Sequence, residues 1–353
     1  MQNPENPKCT VLIITYNHRK FIEQNLSSVL GQITNFNFEI IIHDDASTDG
    51  TREFIQTISK KYPSKIFPIL QSENQISQKK DILPLIFPYI KSKYVALCEG
   101  DDYWTDPCKL QKQVDFLDAH PDFSIVFHPV KMLWEQGEHH SGYWGPTENE
   151  KTHLDKVIWE KNVIPTLSVM YRWRLSGKDI SLWPYGVAPG DWYLHLLHSQ
   201  VGKIGFIPEE MGVYRKHPGG IWYYENVRED FFTRYFWSRI YFCQHAKAQF
   251  NKDFTFIEAE LLFNLFNFCI KRNDYSLLYK LRKENKEKWQ NLYKNVKKYL
   301  SSYPSDNLFL YWLRYKLSCG QNRKKYKECY KMNFQINFLK KQFEKINREL
   351  YSD

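Results

Sequence analysis

The chain has 353 residues, 42% of them hydrophobic and 17% aromatic, with 49 Lys and Arg against 40 Asp and Glu, a formal charge of +9. Such values exclude a disordered chain and leave room for one large domain with an appendage, or for two domains. No apolar stretch reaches the roughly 18 residues of a membrane span. The opening MQNPENPKCT has no apolar signal region, so a cytoplasmic location is expected.

The charge is unevenly spread. Residues 271–353 hold 21 Lys and Arg against 8 Asp and Glu, whereas the rest of the chain holds 28 against 32. Two regions with different electrostatic tasks are expected. The seven cysteines, Cys9, Cys98, Cys108, Cys243, Cys269, Cys319 and Cys329, are scattered without a CxxC pair, which predicts reduced thiols and no zinc site.

In chain order, CTVLIITYN (9–17) is a β-branched apolar run and predicts a buried strand ending at Thr15-Tyr16-Asn17. RKFIEQNLSSVLGQ (19–32) has helical spacing and stops at Gly31. FEIIIHDDASTDGT (38–51) is a second buried strand closing on Asp44-Asp45, followed by a helix through Phe54, Ile55 and Ile58. KIFPILQSEN predicts a third strand, DILPLIFPYIK a short helical stretch broken by proline, and KYVALCEGDD a further strand ending at Asp101-Asp102. This alternation predicts a parallel sheet with helices on both faces. In such sheets ligands bind outside the carboxyl ends of the strands, where these three polar clusters fall.

From Leu110 a helix and another strand follow. GEHHSGYWGPTENEKT (137–152) reads as a surface loop, its His139-His140 pair unsuited to a shared metal. NVIPTLSVMYR is strand-like. YGVAPGDWYLHLLHSQVG (185–202) predicts a turn and an amphipathic helix with Gly190-Asp191 near its start, and IGFIPEEMGVYRKHPGGIW (204–222) a short strand pair leaving into a Gly-Gly loop. Beyond about residue 225 helical runs rich in Lys, Tyr, Phe and Leu continue to the end.

Adjacent carboxylates at the end of a buried strand must face solvent, a cation or a polar ligand. Their recurrent use is to hold a divalent, oxygen-seeking ion against a diphosphate; the competing reading of CEGDDYW is a polar turn capped by Asp101. Three motifs in order decide between the two. VLIITYNHRKFIEQNLSSVLGQ, IIIHDDASTDGT and YVALCEGDDYWTDPCKLQKQVDFL resemble the successive motifs of family-2 glycosyltransferases with the GT-A fold. The resemblance covers residues 8–130 well, continues thinly to about 222, and does not reach the C-terminal appendage.

The resemblance implies a GT-A domain over 1–224, with a nucleotide-binding half at 8–130 and an acceptor half at 131–224, and a helical, basic region over 225–353. It implies an inverting transferase that moves a sugar from a nucleotide-diphosphate sugar, commonly UDP-hexose or UDP-N-acetylhexosamine, with Mg2+ or Mn2+. Thr15, Tyr16, Asn17 and Asp45 would line the base and ribose pocket, Asp45 accepting a hydrogen bond from the base. Asp101 would face the ribose and metal, and Asp102 would be the direct metal ligand. Glu99 stands where the family often has Asp. The catalytic base falls on Asp191 in PGDWYLHLL, where Gly190 replaces the family's usual acid; Asp179, Glu209 and Glu210 are rivals. In YRKHPGG, Arg215 would reach the diphosphate and His217 the metal.

The acceptor implied is a bacterial surface glycan or lipid-linked oligosaccharide. The basic region 271–353 either packs on the enzyme or docks on an anionic membrane surface, where each Lys or Arg contributes about 1 kcal/mol. A sugar nucleotidyltransferase would show a glycine-rich phosphate loop after the first strand, which IITYNHRKF lacks. A nucleic-acid binder would not carry an acidic rim, so no nucleic-acid partner is expected. A non-catalytic relative would not keep Asp102 and Asp191 together.

Overall fold

The computed structural model describes residues 6–302 except 79, 137–141, 176–182, 185, 224–227, 273 and 275. His139-His140, Asp179 and the tail from 303 onward lie outside the described residues. The first half alternates β1 (Cys9–Thr15), α1 (Ile22–Leu30), β2 (Phe38–Asp44), α2 (Thr51–Lys61), β3 (Ile66–Leu70), α3 (Leu83–Ile86) and β4 (Tyr94–Leu97). Then come β5 (Tyr103–Trp104), α4 (Lys109–Ala119), β6 (Phe123–Phe127), β7 (Val130–Trp134), β8 (Gly142–Trp144), α5 (Glu148–Lys151) and α6 (Leu154–Val157). The remainder is β9 (Met170–Arg172), α7 (Gly190–Ser199), β10 (Lys203–Phe206), β11 (Gly212–Lys216) and four helices: α8 (Glu229–Phe250), α9 (Thr255–Arg272), α10 (Ser276–Glu284) and α11 (Lys286–Ser302).

Seven strands form the main sheet in the order β10-β6-β9-β4-β1-β2-β3. All are parallel except β9, which runs antiparallel between β4 and β6. The strands are continuous apolar runs because both faces are covered: Val11, Ile13, Ile40, Ile42, Tyr94 and Ala96 are wholly buried with Ile22, Leu26, Val29 and Ile55 of the flanking helices. Chain direction along the sheet edge reverses at β1, with β2 on one side and β4 on the other. A crevice therefore opens at the carboxyl ends of β1 and β4. Thr15 and Asp44 are register partners at that rim.

The second half departs from its expected form in four places. The stretch expected as a loop holds β8, which pairs antiparallel with β7, and a helical turn begun by a Thr147–Glu150 capping box. Of NVIPTLSVMYR only Met170–Arg172 is strand; Pro165 cannot donate to a ladder, and Thr166–Ser168 form a 3-10 turn. Strands β10 and β11 do not pair with each other: β10 joins β6, and β11 joins a second sheet ordered β5-β11-β7-β8. Helix α7 is buried from Trp192 through His198 rather than amphipathic, because Trp192 and Tyr193 pack against Phe242 of α8 while His198 stacks on Tyr171 of β9.

Two compact units result. One runs up to position 225 and takes in Arg234–Lys252 of α8; the other holds the first residues of α8 up to Thr233 and the chain from Asp253. The second unit is built on Leu261, Leu262, Leu265, Leu277, Leu278, Leu281, Trp289, Leu292 and Val296, with Lys286, Lys294 and Lys298 exposed. No described helix is long and apolar enough to cross a membrane.

Candidate active site

The loops after β1 and β2 are pinned to each other. Asn17 sits at φ 56°, a conformation that Asn tolerates. Its N–H donates to Ser47 Oγ at 2.8 Å, and its Oδ1 accepts the Thr48 N–H at 2.8 Å. Ala46 takes φ 62°, a strained choice for a residue with a Cβ and no polar side chain. Thr15 is buried with no hydrogen-bond partner for its hydroxyl, while Tyr16 stands 43% exposed at the rim, its ring open to a ligand. The Asp45 carboxylate is wholly buried and accepts the Gln75 N–H at 2.6 Å and the Ile76 N–H at 3.3 Å. It therefore anchors the loop after β3. Burial still raises its pKa, against these two hydrogen bonds.

The acidic turn after β4 is held by α1. Buried Asn25 donates from Nδ2 to the carbonyls of Glu99 at 2.8 Å and Asp102 at 2.9 Å. Gly100 is required by close approach: a Cβ there would lie 2.7 Å from Thr15 Oγ1 and 3.0 Å from His18 Nδ1. Glu99 is pushed up to about 8 by burial and then by the charges of Asp101 and Asp191. Burial, followed by the charges of Asp101 and Glu99, raises the Asp102 carboxyl well above the usual carboxylate range.

Three metal-capable groups converge at this turn. Asp101 Oδ2 lies 3.1 Å from His217 Nε2 and 3.7 Å from His18 Nε2, and the ligand atoms of the three all fall within 4.8 Å of one another. Burial raises the Asp101 carboxyl, but the two imidazoles outweigh it and hold the group below its ordinary value. Burial lowers His18, which favours the neutral imidazole that ligates metals. His217, an expected metal ligand, is one of the three groups brought together.

Two site expectations are corrected here. Asp102, expected as the direct metal ligand, is wholly buried and turned away from this cluster, with its Oδ1 accepting the backbone N–H of Arg215 at 2.8 Å. Asp101, not Asp102, is the carboxylate whose oxygen faces the two histidines. Arg215, expected at the diphosphate, is spent within the fold. Its Nη1 donates to the Asp101 carbonyl at 2.8 Å, Nη2 donates to Gln24, and Nε lies 3.2 Å from Glu135. The guanidinium also lies against the Phe21 and Tyr103 rings, 5.0 and 4.6 Å from their centroids. The sequence reading missed His18, although it follows the TYN motif directly, and it missed Asn25 inside α1.

The opposite wall carries Asp191 in the first turn of α7, with Oδ2 accepting from Asn162 Nδ2 at 3.1 Å and Thr166 Oγ1 at 3.0 Å. Its charge acts on Glu99 and on the buried Tyr214 phenol, as those of Asp101 and Asp102 do. The walls therefore share one field. Of the rival bases, Glu209 pairs on the surface with Lys112. Glu210 is exposed on the β10–β11 loop, outside the acidic cluster.

At the carboxyl ends of β1 and β4 the structure thus gathers an acidic turn with two histidines, and Asp191 acts on the same buried groups. Residues 10–177 match the family model described as "Glycosyl transferase family 2", and that stretch of the chain is similar to that family. An uncharacterized protein of Mycobacterium tuberculosis is 41% identical over 229 residues, which are 64% of this chain and 64% of the relative. The matched part thus spans under two thirds of those relatives' length. The UDP-Glc:alpha-D-GlcNAc-diphosphoundecaprenol beta-1,3-glucosyltransferase WfaP of Escherichia coli is 32% identical over 114 residues, 32% of this chain and 43% of that protein. Among solved structures, S. aureus TarS 1-349 in complex with UDP-GlcNAc shares the fold, with TM-score 0.51 and 18% identity over 85% of this chain and 82% of that one.

Proposed function

We propose that the protein is an inverting glycosyltransferase that uses a divalent cation to move a sugar from a nucleotide-diphosphate sugar to a hydroxyl of a surface glycan or lipid-linked oligosaccharide. The observation that carries this reading is the convergence of His18, Asp101 and His217 at the end of β4, across the crevice from Asp191. The donor's base and ribose fall to Thr15, Tyr16 and Asn17, with the buried Asp45 holding the loop after β3 beside them. UDP is the nucleotide favoured, since WfaP is named for UDP-Glc and the TarS structure holds UDP-GlcNAc.

The three ligand groups fit a divalent ion. Two imidazole nitrogens with one carboxylate oxygen favour Mn2+ over Mg2+, which prefers oxygen throughout. When bound, such an ion supplies Lewis-acid neutralisation of the charge that develops on the departing diphosphate. Asp191 takes the proton from the acceptor hydroxyl as its oxygen attacks the anomeric carbon. A single displacement needs no second carboxylate as nucleophile, and Asp102 stays buried on the Arg215 N–H. An acceptor on a lipid carrier suits the exposed lysines of the helical unit, which would face anionic lipid from the cytoplasmic side.

The test is nucleoside diphosphate release from UDP-glucose, UDP-N-acetylglucosamine and GDP-mannose, with Mn2+ and again with excess chelator. Release from one donor that falls to background with chelator is expected. Undiminished release in chelator removes the metal from the reading, and no release from any donor with glycan acceptors removes the transferase.

A further inference from the structure

The proposed reaction needs a base with one oxygen free and the other held still, and the structure separates the two oxygens of Asp191. Both donors that reach the carboxylate, Asn162 Nδ2 at 3.1 Å and Thr166 Oγ1 at 3.0 Å, bind Oδ2. Among the described residues no hydrogen bond is recorded at Oδ1. The two donors come from one short segment that is itself immobilised by its neighbours.

Thr166 opens a 3-10 turn in which Thr166, Leu167 and Ser168 are all buried. The turn is closed from within by Ser168 N–H and Ser168 Oγ, both donating to the Pro165 carbonyl at 2.9 and 2.7 Å. From outside, Trp104 Nε1 donates to the Leu167 carbonyl at 2.8 Å, and Gln113 Nε2 to the Ser168 carbonyl at 2.7 Å. Trp104 lies two residues beyond Asp102, so the chain that forms the acidic turn also fixes the segment that holds the base. Asn162 orders the other end, with Oδ1 accepting the Ile164 N–H at 3.3 Å. A mere helix-start carboxylate would need none of these contacts, because solvent satisfies it.

We infer that Asn162 and Thr166 are positioning residues that clamp Asp191 by Oδ2 and leave Oδ1 as the atom that receives the acceptor's proton. This rests on the glycosyl-transfer reading above. In the step, the hydroxyl proton passes to Asp191 Oδ1 and the freed oxygen pair forms the new bond to the anomeric carbon. The bond from that carbon to the diphosphate breaks, and its electron pair leaves with the nucleoside diphosphate. Two hydrogen bonds on Oδ2 fix the torsion of the carboxylate, which is what alignment of a general base requires.

The experiment uses the full chain with Mn2+ and follows UDP release from UDP-glucose or UDP-N-acetylglucosamine, water or glycan being the acceptor. Thr166→Val and Asn162→Ala should each lower kcat about 10- to 100-fold, the range of a lost hydrogen bond to a charged acceptor. UDP affinity should stay within about twofold of the unaltered protein. Thr166→Ser, which keeps the hydroxyl, should restore most of the rate. Thr166→Val turning over like the unaltered protein overturns the clamp alone. So does Thr166→Ser losing as much as Thr166→Val, or UDP affinity falling as far as the rate. An unaltered protein that releases no nucleoside diphosphate from UDP-glucose, UDP-N-acetylglucosamine or GDP-mannose overturns the transferase reading together with the clamp.

Discussion

The two walls of the crevice are built by different means. The wall that carries His18, Asp101 and His217 comes from strand ends close in the fold and compact in sequence: residues 15–18 at the end of β1, 44–45 at the end of β2 and 99–102 after β4, with His217 the one distant addition. The base-facing wall gathers Asn162, Thr166 and Asp191 from a loop, a 3-10 turn and a helix start. The first wall is rigid because the parallel ladder itself sets its geometry. The second is rigid only because Trp104 and Gln113 reach across to hold its backbone. A wall of the first kind can be read as contiguous motifs, whereas one of the second kind has no local signature.

Substitutions can pull the walls apart. Asp101→Ala should remove Mn2+ binding in a calorimetric titration and take turnover to background, while Asp102→Asn should keep both Mn2+ binding and the fold, since Asn offers the same Oδ1 to the Arg215 N–H. Equal loss in the two variants would return Asp102 to the ligand position. Asp191→Asn should cost about 10²–10⁴-fold in rate with Mn2+ and UDP affinities unchanged; a parallel fall in UDP affinity would make it a donor-binding group.

Beneath both walls lies Lys109, wholly buried, bonded to Gln113 Oε1 at 2.8 Å and 4.0 Å from the Trp104 ring. Burial pushes its amine down to about 7, against the Cys98 and Cys9 thiols. Between about pH 7 and 10.5 the unfolded chain holds a proton that the folded one has released, so stability rises with pH across that window. Lys109→Met should remove up to about 1.4 kcal/mol per pH unit of that slope, measured as the difference between the two proteins' unfolding free energies at each pH. An unchanged slope would mean that the lysine is charged in place. Gly100→Ala should cost about 1–3 kcal/mol by overpacking against Thr15 and His18, and should weaken Mn2+ binding without touching the base wall.

Sequence periodicity alone exposes the β1–α1–β2–α2–β3 alternation, because strands covered on both faces are unbroken apolar runs. It does not choose between Asp101 and Asp102, which follow each other at the end of a strand where successive side chains diverge; the expectation fell on Asp102, whereas Asp101 is the one that faces His18 and His217. Arg215 looked like a free cation because nothing local shows that Gln24, Glu135 and two aromatic rings have taken it. His18 lay inside a motif that was recognised, yet its partner is almost 200 residues away. Strand β8 was invisible for the same reason: three residues become a strand only through pairing with β7.

The placement of β9 has a consequence in time. The edge of β4 facing away from β1 is covered only by β9, where Ala96 pairs with Met170. A chain emerging from the ribosome can close β1 on β2 early, but it carries an open β4 edge through more than seventy residues of further synthesis. That pairing must meet a long loop-closure entropy before it gains anything. In pulse-labelled hydrogen exchange during refolding, protection at the β4–β9 amides should therefore lag behind that at β1–β2. For that interval, the strand that will present the acidic turn is also the most adhesive edge of the nascent molecule.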